Sequence, residues 1–117
     1  MSLVSLTDAL DAATAAGRGL LAVNVIQLEH AEAYAAAAEE TGLPVVLQIS
    51  ENCVRYHGAL APIAAAARAV GEAASAPVVL HLDHAESTEL VWEALDRGFT
   101  SVMFDGSAAP DAVNRET

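Results

Sequence analysis

The sequence contains no lysine, although it is 117 residues long and carries five arginines. Carbonyl chemistry through a covalent imine needs a side-chain amine as the nucleophile. Because no side chain in this stretch offers one, Schiff-base catalysis by these residues is excluded. Any reaction of theirs at a carbonyl must obtain its charge stabilisation in another way.

Basic residues of any kind are scarce. The five arginines stand against 16 acidic residues, which gives a formal net charge of −11 at neutral pH. A field of that sign repels a phosphate polymer, since nucleic-acid binding draws much of its affinity from positive side chains placed on phosphates. We therefore expect no nucleic-acid partner.

Cysteine is nearly absent, and long apolar runs are absent. The single cysteine, Cys53, cannot build a disulfide framework, which predicts a reduced, cytoplasmic setting. No apolar run approaches the length of a membrane span, and no basic segment followed by an apolar core opens the chain. We expect neither a membrane partner nor a secretory signal. The 54% of hydrophobic residues instead suits the core of a small domain.

Short apolar runs alternate with segments of helical pattern. The runs have the length of strands and end in polar residues, whereas the segments between them place apolar residues at helical spacing. A capping box at Ser5 opens the first helix, Pro62 fits the first turn of another, and Ser87 can cap a third. The predicted strands are Leu20–Val25, Val45–Ile49, Val78–Leu82 and Thr100–Phe104, and the helix with the clearest ends is Glu29–Thr41.

This alternation predicts a parallel sheet covered by helices. An opening helix precedes four strand–helix units, the last of which is incomplete where Pro110 begins it. A closed barrel of eight such units needs roughly 250 residues. We therefore predict an α/β fold in which residues 1–117 form the N-terminal half of a single (β/α)8 barrel domain of the TIM type.

The third predicted strand ends in Asp83 and His84. A carboxylate is rarely buried without a partner, and the apolar run Val78–Leu82 provides none. In barrels of alternating strands and helices, the carboxyl ends of the strands carry the chemistry. The pair is thus a candidate general acid/base beside a candidate metal ligand. The alternative is that Asp83 caps a helix and His84 is an ordinary surface histidine.

The other predicted strands also end in polar residues. Asn24 closes the first strand, Ser50 the second and Asp105 the fourth, so that all four ends offer polar groups to one rim. Taken singly, Asn24 and Ser50 have a simpler interpretation as helix caps or turn residues, and Asp105 with Gly106 is typical of an ordinary turn. The remaining histidines are expected to be solvated or hydrogen-bonded, with His57 in a loop.

Two long segments resemble a known family. Residues 79–84 (VLHLDH) and 98–107 (GFTSVMFDGS) are similar to motifs of the class II, zinc-dependent fructose-bisphosphate aldolases and of their relatives that act on tagatose bisphosphate. Residues 22–25 and 44–51, with Tyr56 and Gly58, are similar to the first two strand ends of that family. The resemblance extends in order over essentially the whole chain.

The resemblance implies a role for each strand end. Asp83 would be the general acid/base that moves the proton on the hydroxyl beside the scissile bond, and His84 would be a ligand of the catalytic zinc. Asp105 would correspond to a ligand of a second, alternate metal position, which allows for a second divalent or monovalent cation. Ser50 would contact the aldehyde-phosphate half of the substrate, and Asn24 would lie near it. Zinc would supply the Lewis acid that a chain without lysine needs.

The implied activity is the cleavage of fructose 1,6-bisphosphate, a phosphorylated ketose, into dihydroxyacetone phosphate and glyceraldehyde 3-phosphate by a homo-oligomeric enzyme, a dimer or larger. One departure leaves the substrate open. After Ser107 the family usually has His-Leu-Pro-Phe-Glu-Glu-Asn, where residues 108–114 of this chain are Ala-Ala-Pro-Asp-Ala-Val-Asn. A paralogue that acts on tagatose bisphosphate is therefore the alternative within the enzymes.

A second departure concerns the metal. The other zinc histidines of the family, and its glycine-rich phosphate loops, belong to the second half of the barrel. A catalytic zinc needs about three protein ligands, so His84 cannot hold one unaided. We therefore expect these residues to be inactive by themselves, and a non-catalytic half-barrel is the alternative from a different class.

Overall fold

The computed structural model describes residues 3–117 and shows an α/β arrangement built on a four-stranded sheet. None of the described helices is long and apolar enough to cross a membrane. The strands are β1 (Leu21–Asn24), β2 (Val45–Ser50), β3 (Val78–Ala85) and β4 (Ser101–Phe104). The helices are α1 (Leu6–Ala15), α2 (Leu28–Thr41), α3 (Glu51–His57), α4 (Ala61–Ala73), α5 (Thr88–Asp96) and α6 (Asp111–Glu116).

The four strands are parallel and lie side by side in chain order, β1-β2-β3-β4. Parallel neighbours need a crossover connection, and helices supply it between each pair. The predicted parallel sheet is thus confirmed, with strand boundaries close to those expected except at the end of β3. Because the strands are parallel, their carboxyl ends meet along one edge of the sheet.

One face of the sheet, which we call the outer face, packs against helices. Its central residues are Leu47 and Ile49 of β2 and Leu80 and Leu82 of β3, all fully buried. They share one apolar cluster with alanines of α2 and α4 and with residues of α5. A fully buried leucine or isoleucine stabilises the fold by about 1.5–3 kcal/mol. The outer face therefore holds the sheet to its helices.

The opposite face, which we call the inner face, carries the alternate residues of the same strands. Where the strands begin it is apolar, since Val46 and Val79 pack against Ala9 of α1. Toward the carboxyl ends it becomes polar. In a closed barrel this face would line the interior.

Several predicted helix ends are confirmed by their hydrogen bonds. The Ser5 hydroxyl accepts from the Asp8 amide at 3.0 Å, and the Ser87 hydroxyl accepts from the Leu90 amide at 3.2 Å. Gly42 follows α2 with a φ of +68°, the left-handed conformation that glycine adopts without a steric penalty. Local sequence thus determines where α1, α2 and α5 begin or end.

The helix α3 is the main difference from the predicted elements. His57 ends this helix rather than lying in a loop, and the segment that holds Tyr56 is helical. The segment has only seven residues and too few turns to show an apolar stripe. Its formation depends on its ends: the Ser50 hydroxyl accepts from the Cys53 amide, and Gly58 follows with a φ of +82°.

The strands β1 and β4 are the two edges of the sheet. At the β1 edge, Leu21 is 73% exposed and lines an open apolar cleft with Val23 and Tyr34. Unpaired backbone groups next to apolar side chains favour association with further strands. In a barrel both edges would be paired.

Candidate active site

Four polar side chains cross the inner face in one row. The strand register places Asn24 beside Gln48, Gln48 beside His81, and His81 beside Ser101. Gln48 Nε2 donates to Asn24 Oδ1 at 2.8 Å, and His81 Nδ1 lies 2.7 Å from Ser101 Oγ. Each half of the row thus has its hydrogen-bonding groups paired across two strands, as partly buried polar groups require.

The strand β3 is irregular at Asp83 and His84. It continues to Ala85 rather than ending at Leu82, and its pairing with β4 shifts register between those two residues. His84 has a φ of +48°, which residues other than glycine seldom adopt. Neighbouring side chains of a regular strand point to opposite faces. The irregularity instead brings this pair together, with His84 Nε2 3.8 Å from Asp83 Oδ2.

His84 is also bound to the end of the next strand. Its Nδ1 donates to Asp105 Oδ2 at 2.8 Å, and Asp105 Oδ1 accepts from the Ser107 amide at 3.0 Å. The hydrogen bond from His84, with those from Ser107, lowers the pKa of Asp105 to about 2. The same bond to Asp105, aided by the charge of Asp83, raises the pKa of His84. The two residues thus favour each other's charged form.

The carboxylate of Asp83 lies between two imidazoles. Its side chain is 15% exposed, with Oδ1 3.4 Å from His81 Nε2 and Oδ2 3.8 Å from His84 Nε2. The register places it beside Ser50 of β2. A carboxylate that is partly shielded from water, and has an imidazole nitrogen near each oxygen, is suited to exchange a proton with a bound molecule.

Ser50 caps α3, which confirms the simpler of its two interpretations. Its Oγ accepts from the Cys53 amide at 3.1 Å. The hydroxyl proton remains a donor, because a serine oxygen accepts and donates independently. Since Ser50 is paired in register with Asp83, that donor lies on the same rim.

The next residue, Glu51, joins the loops that follow β2 and β3. Its side chain is 11% exposed, and its Oε2 accepts from the Glu86 amide at 3.1 Å and from Arg55 Nη2 at 3.0 Å. These contacts fix the chain just beyond Asp83 and His84. The sequence alone gives no sign of this role. Glu86 is 35 residues away from Glu51 in the chain, and Arg55 is one helical turn further along α3.

The five predicted site residues come together to different degrees. Asp83, His84 and Asp105 form a continuous chain of contacts. Ser50 neighbours this chain through the register of β2 and β3. Asn24 lies two strands away from Asp83 on β1, in the polar row of the inner face.

One alternative is excluded and three polar residues are added. Asp83 does not cap a helix, because the cap of α5 is Ser87 and Asp83 lies within β3.

The additional polar residues of the inner face are Gln48, His81 and Ser101. Sequence reasoning missed their grouping, because each strand was treated as an apolar run. Polar residues recur every second position in β2 and β3, and that period predicts one polar face.

The two histidines outside the strand ends are hydrogen-bonded, one of the two states expected for them. His30 Nδ1 accepts from the amides of Ile26 and Gln27 at 3.2 and 3.3 Å, which closes the start of α2. His57 Nε2 contacts the carbonyl oxygen of Ile26. Both therefore hold the loop between β1 and α2 in place.

Within residues 3–117, no group of three or more histidine, cysteine or acidic side chains is arranged to hold a metal ion. His84 nevertheless fits one position of such a site. Its Nδ1 is bound to Asp105, which leaves Nε2 for a metal, and metal-binding histidines commonly donate their second ring N–H to a carboxylate. Two or so further protein ligands would have to come from outside the described residues.

The fold is that of barrel aldolases. The crystal structure of the YdjI aldolase from Escherichia coli K12 matches with a TM-score of 0.82 and 26% sequence identity, over 92% of this chain and 42% of that one. The four parallel strands in consecutive order, with their helices, thus correspond to part of a (β/α)8 barrel, as predicted.

Sequence comparison identifies the family. The family model of class-II fructose-bisphosphate aldolases matches residues 4–117. The fructose-bisphosphate aldolase of Geobacillus stearothermophilus is 42% identical over 115 residues, which cover 94% of this chain and 39% of the relative. The 6-phospho-5-dehydro-2-deoxy-D-gluconate aldolase of Bacillus licheniformis is 38% identical over 112 residues, 94% of this chain and 38% of the relative. This chain belongs to the class II fructose-bisphosphate aldolase family, and it spans about two fifths of the length of these curated relatives.

Proposed function

We propose that this chain is the N-terminal half of a barrel enzyme that cleaves fructose 1,6-bisphosphate into dihydroxyacetone phosphate and glyceraldehyde 3-phosphate. Residues 1–117 would form half of one (β/α)8 domain. The proposal depends above all on the contact chain of Asp83, His84 and Asp105, which lies at the carboxyl ends of neighbouring parallel strands. Family membership supports the reaction class.

Asp83 is the general acid/base in this proposal. Its carboxylate would take the proton from the substrate hydroxyl beside the scissile carbon–carbon bond, so that this carbon leaves as an aldehyde, and would return the proton in the condensation direction. Partial burial and two flanking imidazoles support the assignment, because they hold the carboxylate in one place near the rim.

His84 would be a ligand of a catalytic zinc through Nε2. Asp105 orients the ring by accepting from Nδ1, and its own carboxylate would also be available to a second cation. When bound, zinc supplies Lewis acidity for cleavage next to a carbonyl, the route open to a chain without lysine. The remaining ligands would come from residues beyond this half of the barrel.

Ser50 and Asn24 would bind substrate. The free hydroxyl proton of Ser50, beside Asp83, suits the aldehyde-phosphate half of a phosphorylated ketose. Asn24 would lie deeper on the inner face, where Gln48 fixes its amide oxygen and leaves the amide N–H groups to donate. The enzyme would be a cytoplasmic homo-oligomer, and the buried free thiol of Cys53 agrees with a reducing compartment.

A second candidate is the same reaction type on another phosphorylated sugar, such as tagatose bisphosphate. One observation favours it: the segment 108–114 departs from the usual family sequence, and α6 begins within it. The Bacillus licheniformis relative also has a name that specifies a substrate other than fructose bisphosphate.

The test is an aldolase assay on the full-length gene product with each of the two epimeric bisphosphates. We expect turnover of the fructose epimer that a chelator abolishes and added zinc restores. Faster turnover of the tagatose epimer would select the second candidate. No metal-dependent turnover of either compound would leave the non-catalytic half-barrel as the better account.

A further inference from the structure

We infer that His81 is a positioning residue that holds the carboxylate of Asp83 in place for proton transfer. The inference rests on the proposed function, in which Asp83 is the general acid/base. It adds a group that acts through Asp83 without touching the substrate or the metal.

The ring of His81 contacts Asp83 but none of the other four candidate site residues. Its side chain is 13% exposed and lies on the inner face between Gln48 and Ser101. Its Nδ1 is 2.7 Å from Ser101 Oγ, and its Nε2 is 3.4 Å from Asp83 Oδ1. The ring therefore bridges a fixed hydroxyl on β4 and one oxygen of the candidate acid/base.

The contact with Ser101 is compatible with either tautomer of neutral His81, because a serine hydroxyl can donate or accept. If the serine hydroxyl donates to Nδ1, then Nε2 carries the N–H and directs it at Asp83 Oδ1. The other tautomer would direct the Nε2 lone pair at a carboxylate oxygen, which is repulsive. The carboxylate of Asp83 thus favours the tautomer with the proton on Nε2, and the Ser101 hydroxyl matches that tautomer by donating to Nδ1.

Contact with Oδ1 leaves the second carboxylate oxygen available. Oδ2 of Asp83 lies on the side of His84, 3.8 Å from its Nε2. When His81 donates to Oδ1, the carboxylate turns less freely, and the other oxygen keeps its direction toward the rim. Such preorganisation removes an entropic cost from proton transfer. The present separation of 3.4 Å is of the kind that tightens when substrate binds.

Packing gives no reason for an imidazole at this position. One layer lower on the same inner face, the paired positions of β2 and β3 hold Val46 and Val79, which pack with α1. An apolar residue at position 81 would continue that packing without the cost of burying a polar ring. The ring at His81 is therefore better explained by its contact with Asp83.

Two substitutions at His81 separate its hydrogen bond to Ser101 from its contact with Asp83. In the full-length gene product, His81→Gln can place an amide near the position of Nε2 and so still donate to Asp83, whereas His81→Asn reaches only toward Ser101. We expect His81→Asn to lower kcat by roughly 10–100-fold with KM changed less than about three-fold, and the zinc content unchanged. His81→Gln should recover most of the loss. Equal losses in both variants, together with lost zinc or a raised KM, would indicate a merely structural role.

A double-variant cycle tests whether His81 acts through Asp83. In the background of Asp83→Ala, the change His81→Asn should lower kcat no further, because the carboxylate that it positions is gone. If the two losses multiply, His81 acts independently and the inference fails. If Asp83→Ala alone leaves kcat intact, the proposed function fails instead, so the two failures are distinguishable. Leu82→Val, on the opposite face of β3, is the control for general disturbance of the strand, and should change kcat by less than about two-fold.

Discussion

The two faces of one sheet differ sharply over neighbouring residues. Leu47 and Leu80 point to the outer face and are completely buried in the apolar cluster. Gln48 and His81, one residue further along each strand, point to the inner face and are paired with polar partners. Because side chains alternate along a strand, one regular backbone can carry apolar residues on one face of the sheet and polar residues on the other.

The faces also differ in what each residue contributes to folding. A buried leucine of the outer face stabilises the fold by about 1.5–3 kcal/mol. A paired polar group of the inner face contributes about 0.5–1.5 kcal/mol, since it exchanges water for a protein partner. Beyond Val46 and Val79, the inner face thus buries less apolar surface than the outer face. In barrel enzymes, this end of the strands usually carries the active site.

The largest effect is expected when residues 1–117 are studied without the rest of the barrel. The 117-residue chain by itself should show no aldolase turnover and no better than weak zinc binding, because it offers one of the imidazoles a zinc site needs and no later phosphate loop. Metal analysis after dialysis and an aldolase assay measure this. Stoichiometric zinc with chelator-sensitive turnover would contradict it, unless a second chain supplied the ligands.

Two neighbouring substitutions on the inner face should separate chemistry from metal binding. In the full-length product, Asp83→Ala should lower turnover by roughly 10²–10⁴-fold and keep zinc, because the acid/base is lost while His84 remains. His84→Ala should lose metal and activity together. Metal content and kcat, measured on the same preparations, decide the matter. Zinc lost in the first variant and kept in the second would reverse the two assignments.

A matched pair of truncations, one residue apart on β2, compares the faces directly. Leu47→Ala should lower the free energy of unfolding by about 2–5 kcal/mol, because it leaves a cavity in the outer cluster. Gln48→Ala should cost no more than about 1 kcal/mol, since it removes a solvent-exposed hydrogen bond to Asn24. Urea denaturation of the full-length product provides both values. Equal losses would show that the inner face contributes to stability as much as the outer one.

The edges of the sheet should make the isolated chain associate. Among residues 3–117, no strand pairs with the outer edge of β1 or of β4, and Leu21 is largely exposed at the first edge. The charge of −11 opposes random aggregation but cannot pair backbone groups. Sedimentation of the 117-residue chain at micromolar concentration should therefore show self-association. A compact monomer that melts cooperatively would show that the half-barrel is stable with open edges.

The smallest expected effect is a change in the titration of His84. Its hydrogen bond to Asp105 raises the pKa of His84 above the ordinary 6.5, so Asp105→Asn should bring that pKa back down. Because the pKa is raised by folding, the stabilisation from His84 is present at pH below 6.5 and is lost as the pH rises through the raised value. The lowered pKa of Asp105 acts in the opposite window: its contribution is present above 3.8 and is lost as the pH falls toward about 2.

An NMR titration of the histidine side chains in the metal-free full-length product measures this shift. His30 is a suitable internal control, because it is distant in the chain and bonded to backbone amides. Since His84 is largely exposed, water screens the pair, and its effect on stability should be slight. An unchanged titration of His84 in Asp105→Asn would show that the bond seen here does not form in solution.

The order of the elements and most of their ends follow from local patterns in the sequence. Apolar periodicity separated strands from helices, Ser5 and Ser87 marked helix starts, and the alternation of the two element types required a parallel sheet. The predicted strand ends then placed Asp83 and His84 at the rim that carries the candidate site. These properties are local, so nearest neighbours in the chain are enough to specify them.

The way in which the polar residues meet depends on contacts between distant parts of the chain. The left-handed backbone at His84 and the register shift beside it bring two consecutive side chains together, which strand periodicity forbids. The contacts of His81 with Ser101 and of Glu51 with Glu86 join residues 20 and 35 positions apart. Such pairings depend on the register between strands and on one irregular φ angle. Both are fixed by packing of the whole sheet. They cannot be predicted from the preference of single residues for helix or strand.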